Sequence, residues 1–468
     1  MSRKTIKLTS YIILILFLSI VTVNILEPVF HKPVPESYQS TVMETCFTSD
    51  SPCDEQILCI DDNEEALLWR LRMIGSAKES IILTTFDLRA DNSGTDIMSA
   101  LYAAAERNVK IKLLIDGIYL PFFLGQNDTF LALISHDNVE ARFYNALQPS
   151  NLYRLNYRMH DKYLIIDEKM YLLGGRNTND IFLGNYTEGI NYDRDILVYS
   201  TASVPGSSLA DLLSYFSDIW DEPCVKKNSG ITKKEGFADE YAALNAHYEA
   251  LKKQYKDIDS YDGWLETTYA VDKITLINNG IAASGKAPQL LYTIEQLCLT
   301  GKDVLIQTPY VICNADMYRT LERITANANV KIILNAVERG SNPWGCTDYL
   351  NNKRKILDTG VDVYELMNDA AVHTKTILVD DNISIIGSYN LDMRSTYLDT
   401  ELMLVIDSEK LNTHIREMSQ EYILKSKEII SDGTEREGAL YEQAELSGGQ
   451  KVIYAILKVI TRPFRHLL

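Results

Sequence analysis

The sequence contains one pattern of polar residues twice, H-x-K-x(4)-D-x(6)-G-x-x-N. The residues of the pattern are His160, Lys162, Asp167, Gly174 and Asn177 in the first copy and His373, Lys375, Asp380, Gly387 and Asn390 in the second. The chain has only 7 histidines, so chance does not account for two identically spaced copies. The repeat therefore indicates a functional site rather than solvated histidines at the edges of sheets.

Each copy places an imidazole beside an ammonium group. The segments after the histidines, KYLIIDEKMYLLGG and KTILVDDNISIIGS, have the pattern of strand, turn and strand. Residues i and i+2 of a strand lie on one face, so each histidine shares a face with the lysine two residues later. Lysine and asparagine side chains hold phosphate oxygens, and an imidazole can attack phosphorus or donate a proton. Asp167 and Asp380 lie at an odd offset from their histidines, and we expect them to point away and be structural.

The segments around these motifs alternate between helical and strand patterns. The first helical patterns cover 64–77 and 96–108, and the strand patterns 79–88 and 109–117. Such alternation predicts an α/β fold with a mostly parallel sheet.

The same order of segments occurs a second time. KESIILTTF from Lys78 resembles KDVLIQTPY from Lys302, and NVKIKLLID from Asn108 resembles NVKIILNAV from Asn329. Together with the histidine motifs, these blocks keep one order at slowly drifting offsets. The sequence therefore predicts two tandem domains that arose by duplication.

An uncharged apolar run of 19 residues occupies 8–26. A helix needs about 20 residues to cross a bilayer core. Arg3, Lys4 and Lys7 precede the run and Glu27 follows it, and positive residues stay on the cytoplasmic side. We predict one uncleaved spanning helix, with a cytoplasmic N-terminus and extracytoplasmic domains. The alternative is a cleaved signal peptide, but no small-x-small cleavage site follows the run.

The composition is that of an ordinary globular protein. Of 468 residues, 46 % are hydrophobic and 24 % are charged, which excludes a mostly disordered, collagen-like or disulfide-framework protein. The net charge of −18 disfavours a nucleic-acid partner. Cys46, Cys53 and Cys59 cluster near the start without the spacing of a zinc site. We expect no metal there, and leave open a local disulfide.

The predicted organisation follows from these features. The segments are a cytoplasmic N-terminus (1–7), a spanning helix (8–27), a linker (28–59), a first α/β domain (60–225), a helical linker (226–265), a second α/β domain (266–431) and a tail (432–468). The end of the tail, VIYAILKVITRPFRHLL, is apolar and basic. It could lie on an anionic membrane surface or dock on the protein as a terminal helix.

The paired motifs resemble the phospholipase D superfamily over most of residues 60–430. NYRMHDK (156–162), GGRN (174–177) and GSYNLDMRS (387–395) resemble its bacterial cardiolipin synthase branch. Two positions depart from that branch, since Asp161 and Asp399 each stand where asparagine is usual.

The resemblance implies a fold of two tandem phospholipase D-like α/β sandwich domains with one active site at their interface. One chain would then suffice for a complete site, without a metal or other cofactor. Gly174, Gly387 and Ser388 would be structural members of the motifs.

The resemblance also implies a mechanism. His160 would attack phosphorus and become a phosphohistidine, and His373 would be the acid and base. The groups that hold the phosphoryl oxygens would be Lys162, Lys375, Asn177 and Asn390. We expect Glu401 to orient His373, and Asp193, or alternatively Asp195, to orient the first histidine.

The favoured function by resemblance is phosphatidyl transfer in a membrane, in which two phosphatidylglycerols give cardiolipin and glycerol. If water replaces the acceptor alcohol, the product is phosphatidic acid. One competing hypothesis is a membrane-anchored nuclease of the same superfamily, which would need a basic, aromatic-lined groove; the sequence has no concentrated basic run outside the termini and 226–234. Another is a binding protein that has lost catalysis.

Overall fold

The computed structural model describes residues 3–26, 29–47, 53–201, 206–227 and 236–468. Glu27, which ends the predicted spanning segment, and residues 228–235 of the predicted helical linker lie outside the described residues.

The strands alternate with helices along the described chain. The strands are β1 (Glu55–Ile60), β2 (Ser80–Thr85), β3 (Lys110–Asp116), β4 (Val139–Tyr144), β5 (Tyr163–Ile166), β6 (Met170–Gly174), β7 (Asn191–Tyr192), β8 (Asp195–Ser200), β9 (Val225–Lys227), β10 (Tyr269–Ala270), β11 (Lys273–Asn278), β12 (Asp303–Gln307), β13 (Val311–Ile312), β14 (Asn329–Asn335), β15 (Asp362–Leu366), β16 (Ala371–Val372), β17 (Thr376–Val379), β18 (Ile383–Gly387), β19 (Leu391–Asp392), β20 (Leu402–Asp407), β21 (Ser426–Ile429) and β22 (Glu435–Glu437). The α-helices are α1 (Arg3–Leu26), α2 (Glu36–Phe47), α3 (Asn63–Ser76), α4 (Asn92–Glu106), α5 (Asp128–Ser135), α6 (Ser208–Trp220), α7 (Ala238–Gln254), α8 (Trp264–Thr267), α9 (Gln289–Thr300), α10 (Ala315–Thr325), α11 (Pro343–Leu357), α12 (Met393–Tyr397), α13 (Glu409–Leu424) and α14 (Gly448–Ile460). Short 3-10 helices occupy Leu124–Gln126, Pro149–Arg154 and Arg462–Leu467.

Two large sheets repeat one topology. In the described part of the chain, the first has the order β10-β1-β8-β6-β5-β2-β3-β4-β9 and the second β11-β20-β18-β17-β12-β14-β15-β21-β22. The run β1-β8-β6-β5-β2-β3-β4 in the first sheet corresponds strand by strand to β11-β20-β18-β17-β12-β14-β15 in the second. This confirms the predicted duplicated α/β fold.

The prediction of a mostly parallel sheet is wrong. Parallel pairing is confined to β2-β3-β4 and β12-β14-β15, and the other neighbours in these sheets are antiparallel. The motif strands form antiparallel hairpins, β5 with β6 and β17 with β18. Both strands of each hairpin are buried along their whole length, so the sequence shows an apolar run that does not distinguish parallel from antiparallel pairing.

The first sheet extends beyond the predicted segment 60–225. Strand β1 lies largely in the predicted linker 28–59, and β10, from the predicted second domain, pairs with its outer edge. The second sheet likewise takes β22 from the predicted tail.

The two halves share one apolar core. A continuous cluster of buried side chains includes Tyr163 and Tyr171 of the first sheet and Leu276 and Ile385 of the second. A separate cluster fills the space between the first sheet and helices α3, α4, α5 and α7. Two pairings also join the halves directly, namely β7 with β16 and an isolated bridge between Met159 and Thr400.

Among the helices of the described residues, α1 alone is long and apolar enough to cross a membrane. Its Thr9–Leu26 segment has a mean hydropathy of 2.3 and is not buried against the rest of the protein. All seven cysteines lie in the described residues and are free thiols, so Cys46, Cys53 and Cys59 form no disulfide in this structure.

The motif aspartates lie at the turns of the motif hairpins, at the ends of the strands opposite the histidines. The Asp167 carboxylate accepts hydrogen bonds from the backbone N–H groups of Lys78, Glu79 and Ser80, at 2.7–2.8 Å. Asp380 accepts from Lys302 and Asp303 in the same way. Both aspartates have left-handed backbone conformations, with φ of 51° and 46°, which aspartate tolerates better than most residues.

We predict that Asp167→Ala lowers the free energy of unfolding by about 1–2 kcal/mol, because three backbone donors lose their acceptor. Urea unfolding of the full chain in detergent measures this. Asp167→Asn, which keeps one acceptor oxygen and tolerates the left-handed conformation, should lose less. Asp381→Ala, at an exposed turn position, is the matched control, and a loss equal to that of Asp167→Ala would contradict this role.

Candidate active site

His160 lies in the segment that enters β5. Its backbone N–H donates to the Thr400 carbonyl at 3.3 Å, which fixes the segment against the second half. The ring atom Nδ1 is 2.9 Å from Oε1 of Glu401. Ser395 donates to the same carboxylate at 2.6 Å, and Ser388 donates to its other oxygen. These two hydrogen bonds therefore hold Glu401 in the orientation in which it contacts the imidazole.

His373 lies just after β16 in the corresponding position of the second half. Its backbone N–H donates to the Tyr192 carbonyl at 2.6 Å. Its Nδ1 is 2.7 Å from Oδ2 of Asp193. Each histidine is thus oriented by one carboxylate.

The expected assignment of carboxylates to histidines is wrong, because each bond crosses between the halves. Glu401 of the second half orients His160, and Asp193 of the first half orients His373. The pairings that join the halves explain this arrangement. Asp193 directly follows β7, which pairs with β16 next to His373. Glu401 directly follows Thr400, which forms a bridge with Met159 next to His160. The alternative residue Asp195 contacts neither histidine and instead pairs with Arg70 and Arg176.

The two lysines lie beside their histidines, as the strand spacing predicts. Lys162 is 3 % exposed, and its Nζ donates to the His160 carbonyl. Lys375 is 2 % exposed; its Nζ lies against the His373 ring and is 3.5 Å from Oδ2 of Asp193. Besides burial, the charge of each lysine lowers the pKa of the histidine in the other half, so the four groups lie close together.

Burial and the lysines shift the pKa values of both histidines downward. Burial, followed by the positive charge of Lys162, lowers the pKa of His160 well below its usual range. Burial and Lys375 lower the pKa of His373 to about 4. Burial likewise lowers the pKa of Lys162 to about 7. In the free protein both imidazoles are therefore uncharged near neutral pH.

The two carboxyls differ in the direction of their pKa shifts. Burial raises the pKa of Glu401 to about 8, although Lys162 opposes the shift. Burial alone would raise the pKa of Asp193 too, but Lys375 and the hydrogen bond from His373 outweigh it and lower that pKa. The pKa shifts of the two otherwise symmetric carboxyls are thus opposite in direction, upward at Glu401 and downward at Asp193.

The motif asparagines have amide oxygens without hydrogen-bond partners among the described residues. Asn390 is 3 % exposed and Asn177 is partly buried, and Oδ1 of each is buried and unpaired. Rotation of an amide by 180° exchanges its oxygen and its NH₂ group, so either group can face a ligand. Because a buried amide needs a partner, these two amides are free to bind one.

The motif glycines allow backbone segments to approach closely. A Cβ at Gly174 would overlap the backbone oxygen of Arg194, beside Asp193. A Cβ at Gly387 would overlap the backbone oxygen of Leu402, beside Glu401. A side chain at either position would therefore displace the strand that carries an orienting carboxylate.

Two aromatic residues of the site were not found from the sequence. The Phe86 ring packs edge-on against His160 at 5.3 Å between centroids, and the Phe182 ring packs against His373 at 5.0 Å. Each ring therefore shields part of its imidazole from water. Phe86 is the last residue of the first repeated block, and its place in that block could have identified it from the sequence. Phe182 has no counterpart in the repeated blocks.

One further group of residues has metal-binding side chains. Ligand atoms of Cys59, Asp61 and His414 lie within 4.8 Å of one another. Asp61 already pairs with the buried Arg194 guanidinium at 2.8 Å, whose positive charge disfavours a cation there. Of this group, Asp61 lines a cavity of about 340 Å³ that Asp193 also lines.

Comparisons with known proteins agree with this geometry. A family model described as "Cardiolipin synthase, PLD-like domain" matches residues 71–220 and 293–423. "Cardiolipin synthase C" of Escherichia coli is 27 % identical over 415 residues, which cover 80 % of this chain and 85 % of that protein. "Cardiolipin synthase 1" of Staphylococcus epidermidis is 26 % identical over 374 residues, covering 77 % of this chain and 66 % of the relative.

A solved structure has the same fold. The crystal structure of phosphatidylserine synthase from Haemophilus influenzae Rd KW20 superposes with a TM-score of 0.64 at 17 % identity, covering 92 % of this chain and 100 % of that one. The family match covers both halves and both histidine motifs. The chain therefore belongs to the cardiolipin synthase, PLD-like domain family, and it is an enzyme of the phospholipase D superfamily.

Proposed function

We propose that this enzyme is a membrane-anchored phosphatidyltransferase that joins two phosphatidylglycerols to give cardiolipin and glycerol. The observation that carries the proposal is the pair of partly buried histidines, each oriented by a carboxylate of the opposite half and each beside a buried lysine. Two-step transfer needs one nucleophile and one acid–base group in a single site, and this arrangement supports both.

The first step forms a covalent intermediate on His160. Because Nδ1 faces Glu401, Nε2 is the ring nitrogen that attacks the phosphorus of the first lipid. His373 takes up a proton from solvent when the anionic phosphodiester enters the site, because the negative charge favours the imidazolium. The bond from phosphorus to the glycerol head-group oxygen breaks, and His373 gives that proton to the oxygen. Glycerol leaves, and the phosphatidyl group remains on the imidazole.

The second step transfers that group to an alcohol. His373, now neutral, takes the proton from a hydroxyl of a second phosphatidylglycerol. The hydroxyl oxygen bonds to phosphorus while the bond between phosphorus and Nε2 of His160 breaks. Exclusion of water from the site, to which Phe86 and Phe182 contribute, favours the alcohol over hydrolysis.

The polar residues around the histidines support the same roles. The ammonium groups of Lys162 and Lys375 and the unpaired amides of Asn177 and Asn390 would hold the non-bridging phosphoryl oxygens. Ionised Asp193 stabilises a positively charged His373, which the acid step requires. We therefore assign His160 as the nucleophile and His373 as the acid and base.

Helix α1 would anchor the enzyme next to its substrate. Its length and hydropathy suit a bilayer span, and the positive residues at 3, 4 and 7 favour a cytoplasmic N-terminus with the domains outside. One chain contains both motifs, so a monomer would be sufficient for the reaction.

Product analysis tests the reaction. The detergent-solubilised full chain is incubated with phosphatidylglycerol vesicles, and the lipids are separated by mass. We expect cardiolipin and released glycerol, both absent with His160→Ala. Phosphatidic acid as the sole product would instead identify a hydrolase, and a defined oligonucleotide degraded in place of lipid would identify a nuclease.

Trapping of the intermediate tests the assignment of the two histidines. With phosphatidylglycerol labelled at phosphorus, acid-labile label should appear on His373→Asn and not on His160→Asn, while turnover of His373→Asn falls by about 10²–10⁴-fold. Label on His160→Asn alone would reverse the assignment.

The same labelling tests the crossed carboxylates. Glu401→Gln should reduce formation of the labelled enzyme, because Glu401 orients the attacking imidazole. Asp193→Asn should leave label that decays slowly, because His373 is then a poor base. Exchanged phenotypes of these two isosteric variants would contradict the crossed arrangement.

A further inference from the structure

Helix α14 has an apolar face that the described protein leaves uncovered. The side chains on this face are 51–69 % exposed and follow helical spacing; they are Val452, Ile453, Ile456, Val459 and Ile460. The opposite face docks on the protein. There, Tyr454 is 6 % exposed, with its hydroxyl 3.4 Å from the Val337 carbonyl, and Thr461 is 3 % exposed.

The charge around this face is positive. By helical spacing, Lys451 and Lys458 lie between the docked face and the exposed apolar face, and Arg462 follows the helix. Lys451 also pairs with Glu445 at 3.3 Å, and residues 448–468 contain no acidic residue. The whole chain carries a net charge of −18, so this segment differs from the rest of the molecule. An apolar face bordered by cations fits the boundary between anionic head groups and acyl chains.

The end of this segment is attached to the end of α1. His466 Nε2 is 2.8 Å from the carbonyl oxygen of Ile25, the penultimate residue of the apolar helix. The 3-10 helix Arg462–Leu467 that connects α14 to this contact spans about 12 Å at 2 Å per residue. The C-terminal end of α14 therefore lies within about 12 Å of the end of α1, where α1 would leave the bilayer.

The same contact region is joined to the active site. Asn156 Nδ2 donates to the Asn24 carbonyl at 2.6 Å, and Asn24 Nδ2 donates to the Leu152 carbonyl at 2.6 Å. Arg394 links Asn156 to the C-terminus by donating to the carbonyls of Asn156 and Leu467. Asn156 precedes the catalytic histidine by four residues, or at most about 14 Å of extended chain.

A second apolar patch lies near the site. Phe122 and Phe123 are 69 % and 51 % exposed, and ring contacts run from Phe123 through Tyr119 and Phe86 to His160, each with centroids 5.3–5.9 Å apart. An exposed aromatic pair at the mouth of a site suits a lipid surface rather than water.

We propose that the exposed face of α14 lies on the bilayer that holds α1, as a second membrane contact that fixes the height and tilt of the catalytic domains. The occupant is a bilayer containing anionic lipid. This inference rests on the proposed insertion of α1. Two contacts define an orientation that one helix alone does not, and they hold the histidines near the level of the lipid phosphates.

Lipid-borne quenchers test this contact in the full chain. An environment-sensitive fluorescent amino acid replaces Ile456, Leu265 or Phe17 in three separate variants. Each is placed as a single copy in nanodiscs of phosphatidylglycerol and phosphatidylcholine, with a nitroxide on the acyl chain of a fraction of the lipid. Leu265 is the matched control, since it is 54 % exposed against 53 % for Ile456. Its neighbour Trp264 lines a cleft with Asp167, at the sheet edge away from the site.

We expect the probe at 456 to shift to shorter wavelength and to lose about half of its emission, as for a side chain about 5–10 Å below the head groups. The probe at 265 should be unaffected, and that at 17 strongly quenched. A probe at 456 that behaves like the probe at 265, while the probe at 17 is quenched, overturns the second contact and leaves the anchor intact. An unquenched probe at 17 overturns the anchor itself. A wavelength shift at 456 without lipid quenching would assign the face to a protein partner, and also overturns the proposal.

Discussion

The crossed hydrogen bonds between histidines and carboxylates are the constraint on which the rest of the structure depends. His160 is oriented by Glu401 and His373 by Asp193, so neither half contains a complete histidine–carboxylate pair. The site exists only when the halves are docked closely enough for both hydrogen bonds to form. The continuous apolar core between the sheets and the β7–β16 pairing maintain that docking, and a chain with two copies needs no second subunit to achieve it.

The docking of the halves also brings four ionisable side chains together in a buried site. Lys162, Lys375, Asp193 and Glu401 are all nearly inaccessible to water, and burial of unpaired charge is costly. The structure offsets the cost by placing opposite charges and hydroxyl donors together, as at Glu401, where two serines donate. The resulting dipoles are fixed before substrate arrives, which is the condition under which electrostatic stabilisation of a transition state is strongest.

Sequence patterns predicted local geometry well and contacts between the halves poorly. Spacing placed each histidine beside its lysine, because i and i+2 share a strand face. The family resemblance assigned Glu401 to His373, the nearer histidine along the chain, and the assignment was wrong because the docking of the halves, not sequence distance, selects the partner. Parallel pairing was overestimated because buried strands such as β5 and β6 are apolar on both faces. Phe182 gave no signal, since a core aromatic and a site aromatic look alike in sequence.

The link between α1 and the site gives the anchor a role beyond attachment. A flexible tether would raise only the local concentration of lipid, and leave the orientation of the domains to diffusion. Here, the Asn24 side chain donates one hydrogen bond to the backbone of the segment that leads to His160 and accepts another from it. Asn156 and Arg394 extend this hydrogen-bond network to the C-terminus. Under the proposed topology, the attacking nitrogen has a fixed height above the bilayer. The phosphodiester of a lipid in the membrane surface can then reach this nitrogen while the acyl chains of the lipid remain in the membrane. The activation free energy of the reaction therefore does not include the cost of extracting a lipid into water.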